Sequence, residues 1–136
     1  MDNKMKVFVC LILSVLASNN LRQQVGESCK KNPSYEIQTF DINPWPFAKT
    51  EQYTIAINGV FTDKVYIEQI YMGTKDSLGF WHYTYQPVQK EFTKGSLGNF
   101  TVTLQAPASR GSYVSDVQFH HYSFDTLACW QYYYVV

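Results

Sequence analysis

At 136 residues, with eleven Lys and Arg against eleven Asp and Glu, the chain has no net formal charge, which excludes the basic footprint of a nucleic-acid binder. Three cysteines are too few for a dense disulfide scaffold, and eleven tyrosines with nine phenylalanines favour strands over helices.

In chain order, Met1–Lys6 carries two lysines and Val7–Ala17 is apolar, with small residues at Val15 and Ala17. That order is the signature of a secretory signal over residues 1–17, cut after Ala17. The run is shorter than the ~20 apolar residues of a spanning helix, which makes a membrane anchor the weaker alternative. Residues 18–136 are then one domain in a secreted or lumenal compartment. Cleavage removes Cys10 and leaves Cys29 and Cys129. In an oxidising compartment such a pair is most simply a disulfide, with two unpaired thiols as the alternative. A bridge closing so long a loop contributes about 4 kcal/mol in the chain-entropy description.

The first expected strand is Glu36–Ile42, broken by Asn43-Pro44-Trp45-Pro46 because proline donates nothing to a ladder. Glu51–Val60 alternates, with Tyr53, Ile55 and Ile57 on one face. Within it, Asn58-Gly59 reads equally as a hairpin turn or as a bulge. Val65, Ile67 and Gln69 share a face in the next run, and Gly73–Gly79 reads as a turn. Phe80–Gln86 is a fourth strand, stopped by Pro87, and Lys90–Gly98 reads as a polar loop. Asn99–Gln105 carries Phe100, Val102 and Leu104 on one face. Tyr113–Tyr122 places Val117 and Phe119 together, and Leu127–Val136 places Trp130, Tyr132 and Tyr134 together. Seven strands at short spacing predict an all-β antiparallel sandwich or a partly open barrel.

Catalytic chemistry finds little support. Asp116, His120, His121, Ser123 and Asp125 lie close in sequence without a nucleophile elbow or an oxyanion element. There is no phosphate-binding glycine loop and no usual metal-ligand spacing. The sequence therefore predicts no catalytic residue, no metal and no cofactor. Asn99-Phe100-Thr101 is a glycosylation sequon that requires an exposed Asn99.

The last strand, Thr126-Leu127-Ala128-Cys129-Trp130-Gln131-Tyr132-Tyr133-Tyr134-Val135, resembles the C-terminal cysteine strand of the MD-2-related lipid-recognition family. Its Niemann–Pick type C2-like lipid and sterol carriers are the most similar branch. Glu27-Ser28-Cys29 resembles the family's first cysteine, and Pro44-Trp45-Pro46, Gln52–Ile57, Leu104-Gln105-Ala106-Pro107 and Gly111-Ser112-Tyr113 follow in the family's order. The resemblance runs from about Gly26 to Val136. It implies an immunoglobulin-like β-sandwich of about seven strands, a Cys29–Cys129 disulfide linking the chain ends, and a lipid slot between the sheets. It also implies secretion or an endosomal or lysosomal lumen. Two further disulfides common in the sterol carriers find no cysteines in Asn43–Phe47 or Tyr85–Phe92, so lipid is implied more strongly than sterol. The expected partners are a lipid or sterol, with transient contact to a membrane or lipid receptor. A secreted adaptor that presents lipid, or binds protein without transport, is the second reading. Expected lining residues are Tyr53, Ile55, Ile57, Val65, Ile67, Phe100, Val102, Leu104, Val117, Phe119, Trp130, Tyr132 and Tyr134, each of which also reads as ordinary core.

Overall fold

A computed structural model describes residues 25–122 and 125–136; the expected signal, residues 1–17, lies outside them. Eight strands form. They are β1 (Glu27–Ser28), β2 (Tyr35–Asn43), β3 (Gln52–Phe61), β4 (Val65–Lys75), β5 (Trp81–Phe92), β6 (Leu97–Gln105), β7 (Ser112–His120) and β8 (Thr126–Val135). They build two antiparallel sheets, β1-β8-β7-β4-β5 and β2-β3-β6, in the expected immunoglobulin-like sandwich. The eighth strand is the two-residue β1, which pairs with β8 and leads the chain to Cys29. Among the described residues, no helix is long and apolar enough to cross a membrane.

Alternation chooses the inner faces. In β3, Tyr53, Ile55 and Ile57 are buried; in β7, Tyr113, Ser115, Val117 and Phe119; in β8, Trp130, Tyr132 and Tyr134. A side-chain period of two makes each of these sets one face. Their partners across the sandwich are aromatic. Phe40 of β2 stacks on Trp130 at 5.5 Å between ring centroids. Phe47, just after the proline-rich turn, stacks on Tyr53 of its own sheet at 4.0 Å and meets Tyr134 of the facing sheet edge-on at 4.8 Å.

Several expected boundaries are corrected. Pro87 does not stop β5, because β5 is a sheet edge, where a residue without a backbone N–H is tolerated. A bulge follows it: the register passes from Gln69↔Pro87 to Ile67↔Lys90, and Gln89 adopts φ 51°. Phe92 keeps the parity of Gln86 and Val88 and reaches the core side, where it stacks on Phe61 at 4.3 Å. The expected 90–98 loop is therefore reduced to the short link between β5 and β6. Gly73 belongs to β4 rather than to a turn, and the turn proper is Asp76–Phe80. β7 ends at His120 instead of Tyr122, at a register shift against β8. Asn58-Gly59 is neither turn nor bulge. Both lie inside β3, and the irregularity sits opposite, between Ile37 and Thr39 of β2.

The two long edges of the sandwich differ. On one edge β2 lies over β8, with Cys29–Cys129 bonded beside it (Cα atoms 5.0 Å apart). On the other edge β5 faces β6. That edge is zipped at its lower end by Phe61, Phe92 and Phe100, with Phe92 and Phe100 at 5.7 Å. Above Gln86, whose Nε2 donates to the Thr101 carbonyl at 3.3 Å, the sheets part.

Candidate functional site, the open edge between β5 and β6

The parting leaves a cleft of about 590 Å³ lined by Met72 and Thr74 of β4, His82–Pro87 of β5, and Thr103, Leu104 and Gln105 of β6. That volume is within the range of small-molecule sites. Register explains its chemistry. The inward residues Ile70, Met72 and Thr74 pair with Gln86, Thr84 and His82, so these three β5 side chains share the inner face. Further along β5, Val88 and Phe92 pack on the core. The inner face of one edge strand thus turns from apolar to polar where the sandwich opens. Tyr83 and Tyr85 border the cleft but turn their rings to the outer face, where Tyr85 meets Tyr71 edge-on at 4.6 Å.

The inner wall ends in hydroxyls. Thr74 Oγ1 lies 2.8 Å from Ser115 Oγ, which lies 2.8 Å from the Tyr134 hydroxyl. Deeper in, the Tyr53 and Tyr132 hydroxyls are 2.7 Å apart. Burial pushes the pKa of Tyr53, Tyr132 and Tyr134 above the ordinary phenol value, so all three stay neutral. A hydroxyl both donates and accepts. Of these groups Thr74 lines the cleft, and the buried, neutral hydroxyls behind it leave its Oγ1 free to donate or accept without placing a charge in the wall.

The structure sorts the expected lining residues into two groups. Leu104 reaches the cleft; Tyr134 and Tyr132 belong to the hydroxyl cluster with Tyr53. Ile55, Ile57, Ile67, Val102, Val117, Phe119 and Trp130 are buried in the packed core, which Val65 and Phe100 join half-buried. Met72, Thr74, His82, Thr84, Gln86, Thr103 and Gln105 were not singled out from the sequence. The signal available was the even-numbered series His82, Thr84, Gln86, Val88, polar and then apolar on one parity. Asn99 is exposed on the edge strand β6.

No family model matches the chain, and no curated protein matches it. Among solved structures, a Niemann-Pick type C2 protein from the Japanese carpenter ant superposes with a TM-score of 0.61 at 10% identity, covering 82% of this chain and 98% of that one. The C-terminal domain of wzt superposes with a TM-score of 0.63 at 13% identity, covering 81% of this chain and 77% of that one. At these identities the likeness is one of fold, and the fold is the one the family resemblance implies.

Proposed function

We propose that this protein binds and transfers a lipid, with a sterol as one candidate cargo, and that it is not an enzyme. The observation that carries the reading is the 590 Å³ cleft at the open edge, with Met72 and Leu104 in its wall and the Thr74 hydroxyl, backed by Ser115 and Tyr134, at its inner end. An acyl chain or ring system laid against such a wall leaves water, at roughly 25 cal/mol per Å² of apolar surface covered. The only orienting groups the wall needs are those that recognise an uncharged head. Ser115, the buried hydroxyl beside the cleft, bonds to Thr74 and Tyr134, with neither imidazole nor carboxylate between them to act as a base.

The open edge supports loading without unfolding. β2 over β8 and the Cys29–Cys129 bond hold one side of the sandwich, and on the other side β5 and β6 are joined only below Gln86, which leaves their upper halves open to cargo. The disulfide and the signal-like N-terminus support a secreted or lumenal location, which includes the endosome and lysosome, and the exposed Asn99 sequon supports glycosylation there. The direct experiment is native mass spectrometry and lipid extraction of the protein secreted by cells. A stoichiometric lipid is the expected result. Repeated recovery of lipid-free protein that takes nothing up from donor vesicles would end the proposal.

A further inference from the structure

The turn joining β4 to β5 holds two large apolar side chains in water: Leu78 is 80% exposed and Phe80 is 65% exposed. Turn positions this open are ordinarily polar. The turn is nonetheless tightly built. Asp76 Oδ1 accepts from the Leu78 amide at 2.9 Å and the Phe80 amide at 3.0 Å. The Gly79 amide donates to the Asp76 carbonyl, and the Asp76 amide to the Phe80 carbonyl. Gly79 supplies the left-handed residue at φ 90°. Asp76 Oδ2 lies 2.7 Å from His82 Nε2, which ties the turn to the first residues of the cleft wall.

These features select a partner. A tip that enters a medium without water must satisfy its backbone groups internally, and the amides of Asp76, Leu78, Gly79 and Phe80 all donate within the turn. Two protruding side chains fall far short of the roughly 800 Å² that a stable protein interface takes from each partner. A bilayer needs no shape match. Trp81, at the base of the turn and 37% exposed, is a residue type that settles at the membrane–water interface. The Lys75 stem runs along the turn, its Cε 3.9 Å from the position a Gly79 Cβ would take. A stem so placed covers apolar surface while its ammonium stays in water.

We infer that the Asp76–Phe80 turn docks the protein on a lipid bilayer, with Leu78 and Phe80 entering the headgroup–acyl boundary. His82 and Thr74, which flank the turn in β5 and β4, line the cleft, so docking brings the mouth to the membrane from which cargo is taken. The use of docking for cargo exchange rests on the lipid-carrier reading; docking itself does not.

The test is flotation of the secreted protein with cargo-free phosphatidylcholine vesicles, since Leu78 and Phe80 are uncharged and call for no anionic surface. The wild type is expected to float. The Leu78→Ser/Phe80→Ser variant is expected to float less by a factor on the order of tenfold, from the apolar area lost, with an unchanged melting curve and unchanged uptake of a fluorescent lipid monomer in solution. Failure of the wild type to float, or flotation unaffected by the substitutions, would overturn the inference. So would a dimer in lipid-free buffer that the same substitutions dissolve, since the turn would then serve a second copy. Flotation that depends on the turn, in a protein that takes up no lipid monomer, upholds docking and removes the carrier reading instead.

Discussion

Asp116 lies on the outer face of the five-stranded sheet, yet it is only 6% exposed. Its Oδ2 accepts from Gln118 Nε2 at 2.7 Å, and Gln118 Oε1 in turn lies 2.8 Å from His120 Nε2. Burial pushes its pKa above the ordinary aspartate value, an effect offset only in part by the Gln118 amide and the neighbouring Gly73 N–H. A carboxyl with a raised folded value favours the folded state in its protonated form, below the ordinary value of 3.8. That contribution is lost as pH rises through the folded value. Asp116→Asn keeps an acceptor for Gln118 and removes the buried charge. It is expected to raise the melting midpoint by a few degrees at pH 7 and to leave it unchanged near pH 3, read by thermal melts at both values. Gly59 has the opposite sensitivity. A Cβ there would meet the Glu36 carbonyl oxygen, and the Tyr35 ring at 2.7 Å. Neither gives way easily, since the Tyr35 hydroxyl is held by the Gly98 carbonyl at 2.8 Å. Gly59→Ala is expected to cost about 2–3 kcal/mol in urea unfolding.

At the scale of elements, β5 decides what the molecule can do. Its lower half is fastened by Phe92 against Phe61 and Phe100 and by Gln86 on the Thr101 carbonyl, and its upper half carries His82 and Thr84 inward into the cleft. Phe92→Ala is expected to cost about 2 kcal/mol, less than full burial of the ring would imply. It is also expected to speed amide exchange along β5 more than along β7, read by hydrogen–deuterium exchange. This strand is also where the sequence was hardest to read. Alternation in β3, β6, β7 and β8 identified their inner faces, because Tyr53, Ile55 and Ile57, or Trp130, Tyr132 and Tyr134, repeat at period two. In β5 the aromatic parity, Trp81, Tyr83 and Tyr85, is the outer one, and the inner parity is polar. Pro87 hid the strand's continuation, since nothing local shows that a strand is a sheet edge. Phe92 continues the even parity of His82, Thr84, Gln86 and Val88 beyond that proline, so the inner face turns apolar only past the apparent stop. The candidate site was legible only through Leu104 and the tyrosine hydroxyls, because an open edge leaves no run of apolar residues to mark it.

For the whole molecule, the two edges of the sandwich divide the work between stability and access. Cys29 and Cys129, separated by 100 residues, close the β2–β8 side. Replacing both by serine is expected to cost about 4 kcal/mol in urea unfolding while leaving the β5–β6 cleft in place, so lipid uptake below the unfolding transition should persist. The central claim is that this cleft is where lipid is held. Titration of the protein with a fluorescent lipid monomer, for the wild type and for Leu104→Glu, tests it most directly. Saturable uptake of one lipid per chain is expected for the wild type. A loss on the order of a hundredfold is expected in Leu104→Glu, whose carboxylate would have to be covered by the bound chain, with folding intact because Leu104 lies half-buried on an edge strand. Equal uptake by the two proteins, or no saturable uptake by the wild type, would contradict the claim.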